Sequence, residues 1–286
     1  MRITTQKRAV VTFGLALSLA AFGSKPSQAA SIAVSEAKMS MYNFSYTIPT
    51  TSTLLPITFT DANRDTFRLP IDGEVFTDAD ADANVTVDDF LDLPKVTNVE
   101  NYSVSQGYGV GNSYYGYAQS SALAKAHNLE ISKNTTFSFD FDAALTLFTY
   151  IDNAENEKAK ADGNIYLEVF DQTNGNVLDS LRIWGRLTAI GNQDFLTYEK
   201  SANQSFDVSD TIETDYEETL KVAVAVITGR YSRSFDRDMV LGIRELKSNS
   251  VSVQVPEPLS CGGMVIAGVM GWWMKRKRKR SHNSLR

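Results

Sequence analysis

The chain has 286 residues, with 28 Lys and Arg against 34 Asp and Glu, two histidines, one cysteine and a formal net charge of −6. Most of the dense positive charge sits at the two ends: residues 30–255 keep 17 basic and 33 acidic residues, a net of −16, and contain no cysteine. This excludes a disulfide framework for the central region and makes nucleic acid and anionic lipid poor partners, because binding to phosphate needs clustered Lys and Arg.

Residues 1–29 read as a secretory signal peptide. Arg2, Lys7 and Arg8 precede an apolar run from Ala9 to Phe22, and the stretch ends in SKPSQAA, where Ser27 and Ala29 suit signal peptidase. The apolar run is shorter than the roughly 20 residues that span a bilayer. Export leaves residues 30–255, enough for one sizeable domain with an ordinary core.

In DADADANVTVDDF (Asp78–Phe90), carboxylates recur at the spacing of a calcium loop. Calcium takes roughly six to eight oxygens, which an EF-hand type loop supplies from positions 1, 3, 5, 7 and 12. Those positions are Asp78, Asp80, Asp82, Asn84 (through its carbonyl) and Asp89, so they are the candidate calcium ligands. The segment resembles the dockerin variant of the loop, which also ends in Asp. It departs from that pattern at Ala83, where the sharp turn asks for Gly, and no second loop follows, so cohesin binding is not implied. The alternative is an acidic solvated loop without metal.

QGYGVGNSYYGY (Gln106–Tyr117) reads as a long loop. Tyr108, Tyr114, Tyr115 and Tyr117 are its candidate ligand-binding residues, because an aromatic ring packs on the C–H face of a sugar. The alternative is a loop whose tyrosines pack on a sheet edge. Ser120–Ile131 fits helix or strand equally.

Beyond it the pattern has period two. In Thr136–Ile151, Phe137, Phe139 and Phe141 fall on one face and Ser138, Asp140 and Asp142 on the other, as in a half-buried strand. Asn174-Gly175 between two apolar runs predicts a hairpin. NAENEKAKADGN (Asn153–Asn164) reads as a solvated connection. Thr219–Ile227 alternates Val with Ala, predicting a strand covered on both faces. Arg230, Arg233 and Arg237 lie among Asp236 and Asp238, which predicts salt-bridged strand ends. Many short alternating strands with turn signals predict an antiparallel β-sandwich of jelly-roll type.

The tail carries an address. Leu259–Met274 is apolar or small, about 24 Å long as a helix, and is followed by the basic block Lys275, Arg276, Lys277, Arg278, Lys279 and Arg280, which stays cytoplasmic. Immediately before the helix stand Pro256, Glu257 and Pro258. Pro-Glu-Pro, a short helix and a basic cluster, in that order over residues 256–286, resemble the PEP-CTERM sorting signal of exopolysaccharide-producing Gram-negative bacteria. The resemblance implies recognition by an exosortase, a transient stay in the inner membrane through the helix, cleavage near Pro-Glu-Pro, and delivery to the outer surface or extracellular matrix.

Catalytic signatures are lacking. His127 is the sole histidine of residues 30–255, with no Gly-x-Ser-x-Gly turn and no second histidine for a zinc pair. A carboxylate pair for glycoside hydrolysis can be drawn from so acidic a chain without constituting evidence. The expectation is a non-catalytic surface or matrix protein associated with extracellular polysaccharide, with calcium as its one candidate cofactor; the alternative is a secreted glycoside hydrolase on a lectin-like sandwich.

Overall fold

The computed structural model describes residues 29–46, 56–90 and 93–256. Among these, ten strands and no helix occur: β1 (Ala30–Ser45), β2 (Ile57–Phe90), β3 (Leu93–Ile131), β4 (Thr135–Ile151), β5 (Lys158–Asp171), β6 (Val177–Thr188), β7 (Phe195–Lys200), β8 (Phe206–Tyr216), β9 (Leu220–Phe235) and β10 (Met239–Val255). Residues 1–28 of the expected signal peptide, Glu257, Pro258, the expected sorting helix and the block Lys275–Arg280 lie outside the described residues; Pro256 is exposed at the end of β10.

Every pairing is antiparallel, in one sheet of order β7-β6-β5-β10-β3-β1-β4-β9-β8, with β2 added on β3. The sheet is nearly closed. At its two ends the Tyr198 hydroxyl of β7 donates to Asp210 of β8 at 3.2 Å, and Lys200 Nζ donates to the Phe206 carbonyl at 2.7 Å. Two further clips join the same sides. Lys221 of β9 donates to Asp194 and to the carbonyls of Thr188 and Gly191 at 2.6, 2.8 and 3.0 Å. Buried Asp179 of β6 accepts from Tyr231 and Arg233 of β9 at 2.8 and 2.7 Å.

Alternation decides which side chains enter the core. Phe137, Phe139 and Phe141 are fully buried, and with Tyr231 and Phe206 they form an aromatic cluster whose rings approach to 5.1 Å (Phe139–Tyr231) and 5.0 Å (Phe206–Tyr231). From Ala143 to Thr149 both faces of β4 are buried. The Asn174-Gly175 hairpin forms as the sequence indicates: Gly175 has φ +74° and its N–H donates to the Asp171 carbonyl at 2.8 Å. Strand β9 departs from its expectation. Ala223, Ala225 and Ile227 point inward, while Val222 and Val224 are half-buried and Val226 is exposed, so one face only is covered. Ala223, Ala225 and Ile227 form the inner face, and the three valines stay on the outer one, where branched side chains still suit a pleated strand.

The largest departure is at β2 and β3. Both segments read as loops, Asp78–Phe90 and Gln106–Tyr117, lie within these strands, and Ser120–Ile131, ambiguous in sequence, is strand as well. Together β2 and β3 are one long hairpin folded back on itself. Along β3 the odd positions are buried from Val99 to Ser113 and the even positions from Tyr114 to Ala126, so the inward face changes parity between the two arms. The arms touch across the fold: Ser103 Oγ lies 2.7 Å from Ser120 Oγ, and Asn101 Nδ2 donates to the Ala122 carbonyl at 3.2 Å. Strand β1 pairs with the first arm of β3 and β10 with the second.

Glycine makes the corner possible. Gly111 has φ +131°, and a Cβ on it would run into Gly73 and the Asp72 carbonyl of β2, where the register also shifts. Close packing of the arms explains their small inward residues, Ser103, Ser105, Gly107 and Gly109 against Gly116, Ala118, Ser120 and Ala122. Gly111→Ala should therefore destabilise the domain several times more than Gly175→Ala, since no atom lies within 4 Å of a Cβ at Gly175 and that variant pays only the left-handed strain of ~1 kcal/mol. Denaturant unfolding of the two variants checks this; equal losses would contradict the corner.

Candidate functional site

The first arm of β2 is unusual. Every residue from Ile57 to Asp72 is exposed, on both faces of the strand, and β2 pairs only with β3, so its outer edge is open among the described residues. Odd positions on this arm carry Ile57, Phe59, Phe67, Leu69 and Ile71, exposed by between 46% and 57%. So much apolar surface on one edge strand is not the norm for a soluble protein and marks a contact surface.

Register brings the β3 tyrosines to this arm. Phe67 stands opposite Tyr117 and Leu69 opposite Tyr115, and the Phe67 and Tyr115 rings lie 6.0 Å apart. The Tyr117 hydroxyl donates to Gln119 at 2.7 Å, which fixes its tip. The result is a platform of Phe67, Leu69, Tyr115 and Tyr117 on a two-stranded base, just past the Gly111 corner. Asp65, opposite Gln119, adds a carboxylate beside it. On the other arm, Tyr108 stands opposite Phe76, which is 49% exposed and carries the Arg68 guanidinium 4.9 Å from its ring centre.

Tyr114 does not belong to the platform. The parity change at the corner turns it inward, where it is 1% exposed and shares a 2.7 Å hydrogen bond with Ser31. Burial pushes its phenol up to about 12, with the Ser31 contact opposing the shift. It is a core residue, and a Cβ at Gly109 would collide with its ring, so glycine there makes room for it. Phe67 and Leu69 are the residues that sequence reading missed. Their signal is apolar side chains at alternate positions of an otherwise polar strand.

The calcium candidates occupy a different geometry from a loop. Asp78, Asp80, Asp82 and Asn84 are exposed at alternate positions of β2, where successive same-face residues stand about 7 Å apart. That spacing strings carboxylates in a row, whereas chelation needs oxygens within ~2.5 Å of one ion. Each partner is local: Asp78 accepts from Gln106 at 3.1 Å, Asp80 from Arg64 at 3.1 Å, and Asp82 from the Ala83 N–H at 2.9 Å. Ala83 is half-buried in the strand and is not among the residues with positive φ, so the turn that glycine would have permitted is replaced by pairing with β3. The side chain of Asp89 lies outside the described residues. No group of three His, Cys, Asp or Glu among the described residues is arranged to hold a metal.

His127 packs edge-on against Phe170 at 5.6 Å, and burial, with Lys125 nearby, lowers its pKa. The arginines of the β9–β10 region divide. Arg233 is bound to Asp179, Arg230 donates to Ser138 at 3.1 Å with Asp140 at 3.8 Å, and Arg237 contacts Met239. The partners of Arg230 and Arg233 are therefore Asp140 and Asp179, on other strands, in place of the neighbouring Asp236 and Asp238. Arg237 lines a cleft of about 440 Å³ with Glu130, Asp171, Asn174 and Asp238. In it Asp171 already accepts from the Thr173 N–H and Asn174, at 2.9 and 3.0 Å, and Asp238 from the Lys133 N–H at 2.6 Å.

Comparison with protein-family models, with curated proteins and with solved structures found no match.

Proposed function

We propose that residues 30–255 form an exported, non-catalytic protein of the cell surface or extracellular matrix, and that the Phe67–Leu69–Tyr115–Tyr117 platform binds exopolysaccharide. In this reading the doubled sheet is a two-layer sandwich of jelly-roll type, a shape favoured by the contact of Ser103 with Ser120 across the fold. The observation that carries the binding role is the platform itself: exposed Phe67 and Leu69 beside half-buried Tyr115 and Tyr117, held by strand register next to polar side chains. Aromatic faces pack on sugar C–H faces, while tyrosine hydroxyls and Gln119 supply hydrogen bonds to ring hydroxyls. The strong negative charge favours a neutral glycan, or an acidic one bridged by cations. Calcium then acts as a bridge between the Asp78, Asp80 and Asp82 row and glycan carboxylates, not as a chelated ion.

Delivery follows from the ends of the chain. Signal peptidase removes residues 1–29, the apolar helix holds the protein in the inner membrane, and an exosortase acts at Pro256-Glu257-Pro258. Exposure of Pro256 directly after β10 favours this, because a protease reaches the motif without unfolding the sheet. A secreted hydrolase acting on the same matrix is the second reading, and the cleft at Glu130, Asp171 and Asp238 is what favours it.

Retention on immobilised matrix polysaccharide separates the two. The protein should be retained and release no sugar, and Phe67→Ala or Tyr115→Ala should weaken retention about five- to tenfold, on the order of 1 kcal/mol each. Tyr114→Phe should leave retention unchanged while lowering stability by about 1–3 kcal/mol through loss of the Ser31 bond. Release of soluble sugar, or equal effects of the Tyr114 and Tyr115 variants, would contradict the assignment. For sorting, replacing Pro256-Glu257-Pro258 by alanines should leave the full-length chain in the inner membrane fraction; normal surface delivery of that variant would refute it.

A further inference from the structure

The interior between the two arms of the hairpin holds an ion pair that neither the fold nor the binding face requires. Glu245 and Lys247, both on β10, are each 0% exposed, and Lys247 Nζ contacts Glu245 Oε1. Taking both charges out of water costs several kcal/mol per ion, so such a pair is weak evidence for stability by itself. A third buried group completes the cluster. Asn101, 4% exposed on the first arm of β3, donates from Nδ2 to the carbonyls of Ala122 (3.2 Å) and Glu245 (3.4 Å). Ala122 is the cross-strand partner of Lys247. The Asn101 amide is thus wedged at the rung that carries Lys247, over the strand that carries Glu245.

Two polar atoms of this cluster lack a partner, Asn101 Oδ1 and Glu245 Oε2. A carboxylic acid proton on Oε2 aimed at the Asn101 carbonyl would satisfy both, and a buried orphan of each kind is otherwise costly. We propose that Asn101 and Lys247 form an intramolecular isopeptide bond, with Glu245 as the proton-transferring group. The neutral amine of Lys247 attacks Cγ of Asn101, while Glu245 donates its proton to Oδ1 and takes one from the attacking nitrogen. The tetrahedral intermediate collapses with loss of Nδ2, protonated through Glu245, as ammonia. One C–N bond forms and one breaks, with no oxidant, metal or second protein involved. Glu245 is regenerated.

The protonation states suit the step. Burial raises the Glu245 carboxyl and lowers the Lys247 amine to about 8, so both groups are driven towards the neutral acid and neutral amine that the attack needs. The Asn101 amide is near enough to the Glu245 carboxyl to oppose its shift in part. Enclosure keeps water from competing for the amide carbon. The consequence is structural. The bond ties β10 to the first arm of β3, across the fold, and so staples the two arms in a domain that has no cysteine with which to do it.

Peptide mass mapping of the full-length protein, digested after denaturation, tests the proposal. The expected result is a branched peptide joining the Asn101 and Lys247 segments, lighter than their sum by one ammonia, with no tryptic cleavage after Lys247. Glu245→Gln should leave the two segments separate. Because that variant removes a buried charge and its fold can suffer, Asn101→Asp provides an independent check: it should give the same branched product as the unaltered protein, by loss of water. Separate, unmodified Asn101 and Lys247 peptides from the unaltered protein would overturn it.

Discussion

The folded-back hairpin of β2 and β3 is the constraint on which the other features depend. Strands of 34 and 39 residues far exceed the usual ~5–6, and a flat ribbon of that length would leave its inner face in water. Bending at Gly73 and Gly111 lets one arm cover the other. It also gives the neighbouring strands their places, because β1 pairs with the first arm and β10 with the second. The N-terminal start of β1 and the C-terminal end of β10 consequently meet at the corner, where Ala30 stands opposite Val110 and Val255 opposite Tyr114. The chain therefore leaves β10 at Pro256 beside the aromatic platform.

Two kinds of interior follow from this geometry. Where β4, β8 and β9 meet, the interior is aromatic, with Phe137, Phe139, Phe141, Phe206 and Tyr231 closing on one another and Asp179 satisfying the one phenol among them. Between the hairpin arms it is small and polar. Asn249 donates to the Ser103 carbonyl and hydroxyl at 2.7 and 2.9 Å, and Ser35 donates to Asn249 at 2.7 Å. Such a network fixes register where small apolar side chains alone would allow the arms to slide, since a buried polar group that loses its partner costs free energy at once. Glu245, Lys247 and Asn101 belong to the same seam.

Much of the sheet is legible in the sequence because one-sided burial leaves a period-two trace. Phe137, Phe139 and Phe141 show it, and Asn174-Gly175 marks its hairpin through the φ that glycine permits. The long hairpin was hidden for a physical reason. Its inner face is built from Ser, Gly and Ala, which carry no hydrophobic signal, and its aspartates at alternate positions imitate the ligand spacing of a calcium loop. The trace that does exist is the parity of the small residues, odd from Ser103 to Gly109 and even from Gly116 to Ala126, changing at the glycine of the corner. Of the tyrosines singled out by composition, register divides Tyr115 and Tyr117 from Tyr114. Composition cannot do this, because a single bulge residue reverses the face of all that follow.

Distance between the two arms in solution tests the folded hairpin most directly. Spin labels at Glu100→Cys and Gln119→Cys, both exposed positions, in a chain with Cys261→Ser, report it by pulsed electron resonance. A hairpin doubled at Gly111 brings these backbones to roughly 20 Å, given a layer spacing of ~10 Å and the offset along the strand. A straight hairpin would hold them about 60 Å apart, at ~3.3 Å per residue. A distribution centred below 35 Å, roughly allowing for the labels, is the result this account predicts; one centred near 60 Å would contradict it.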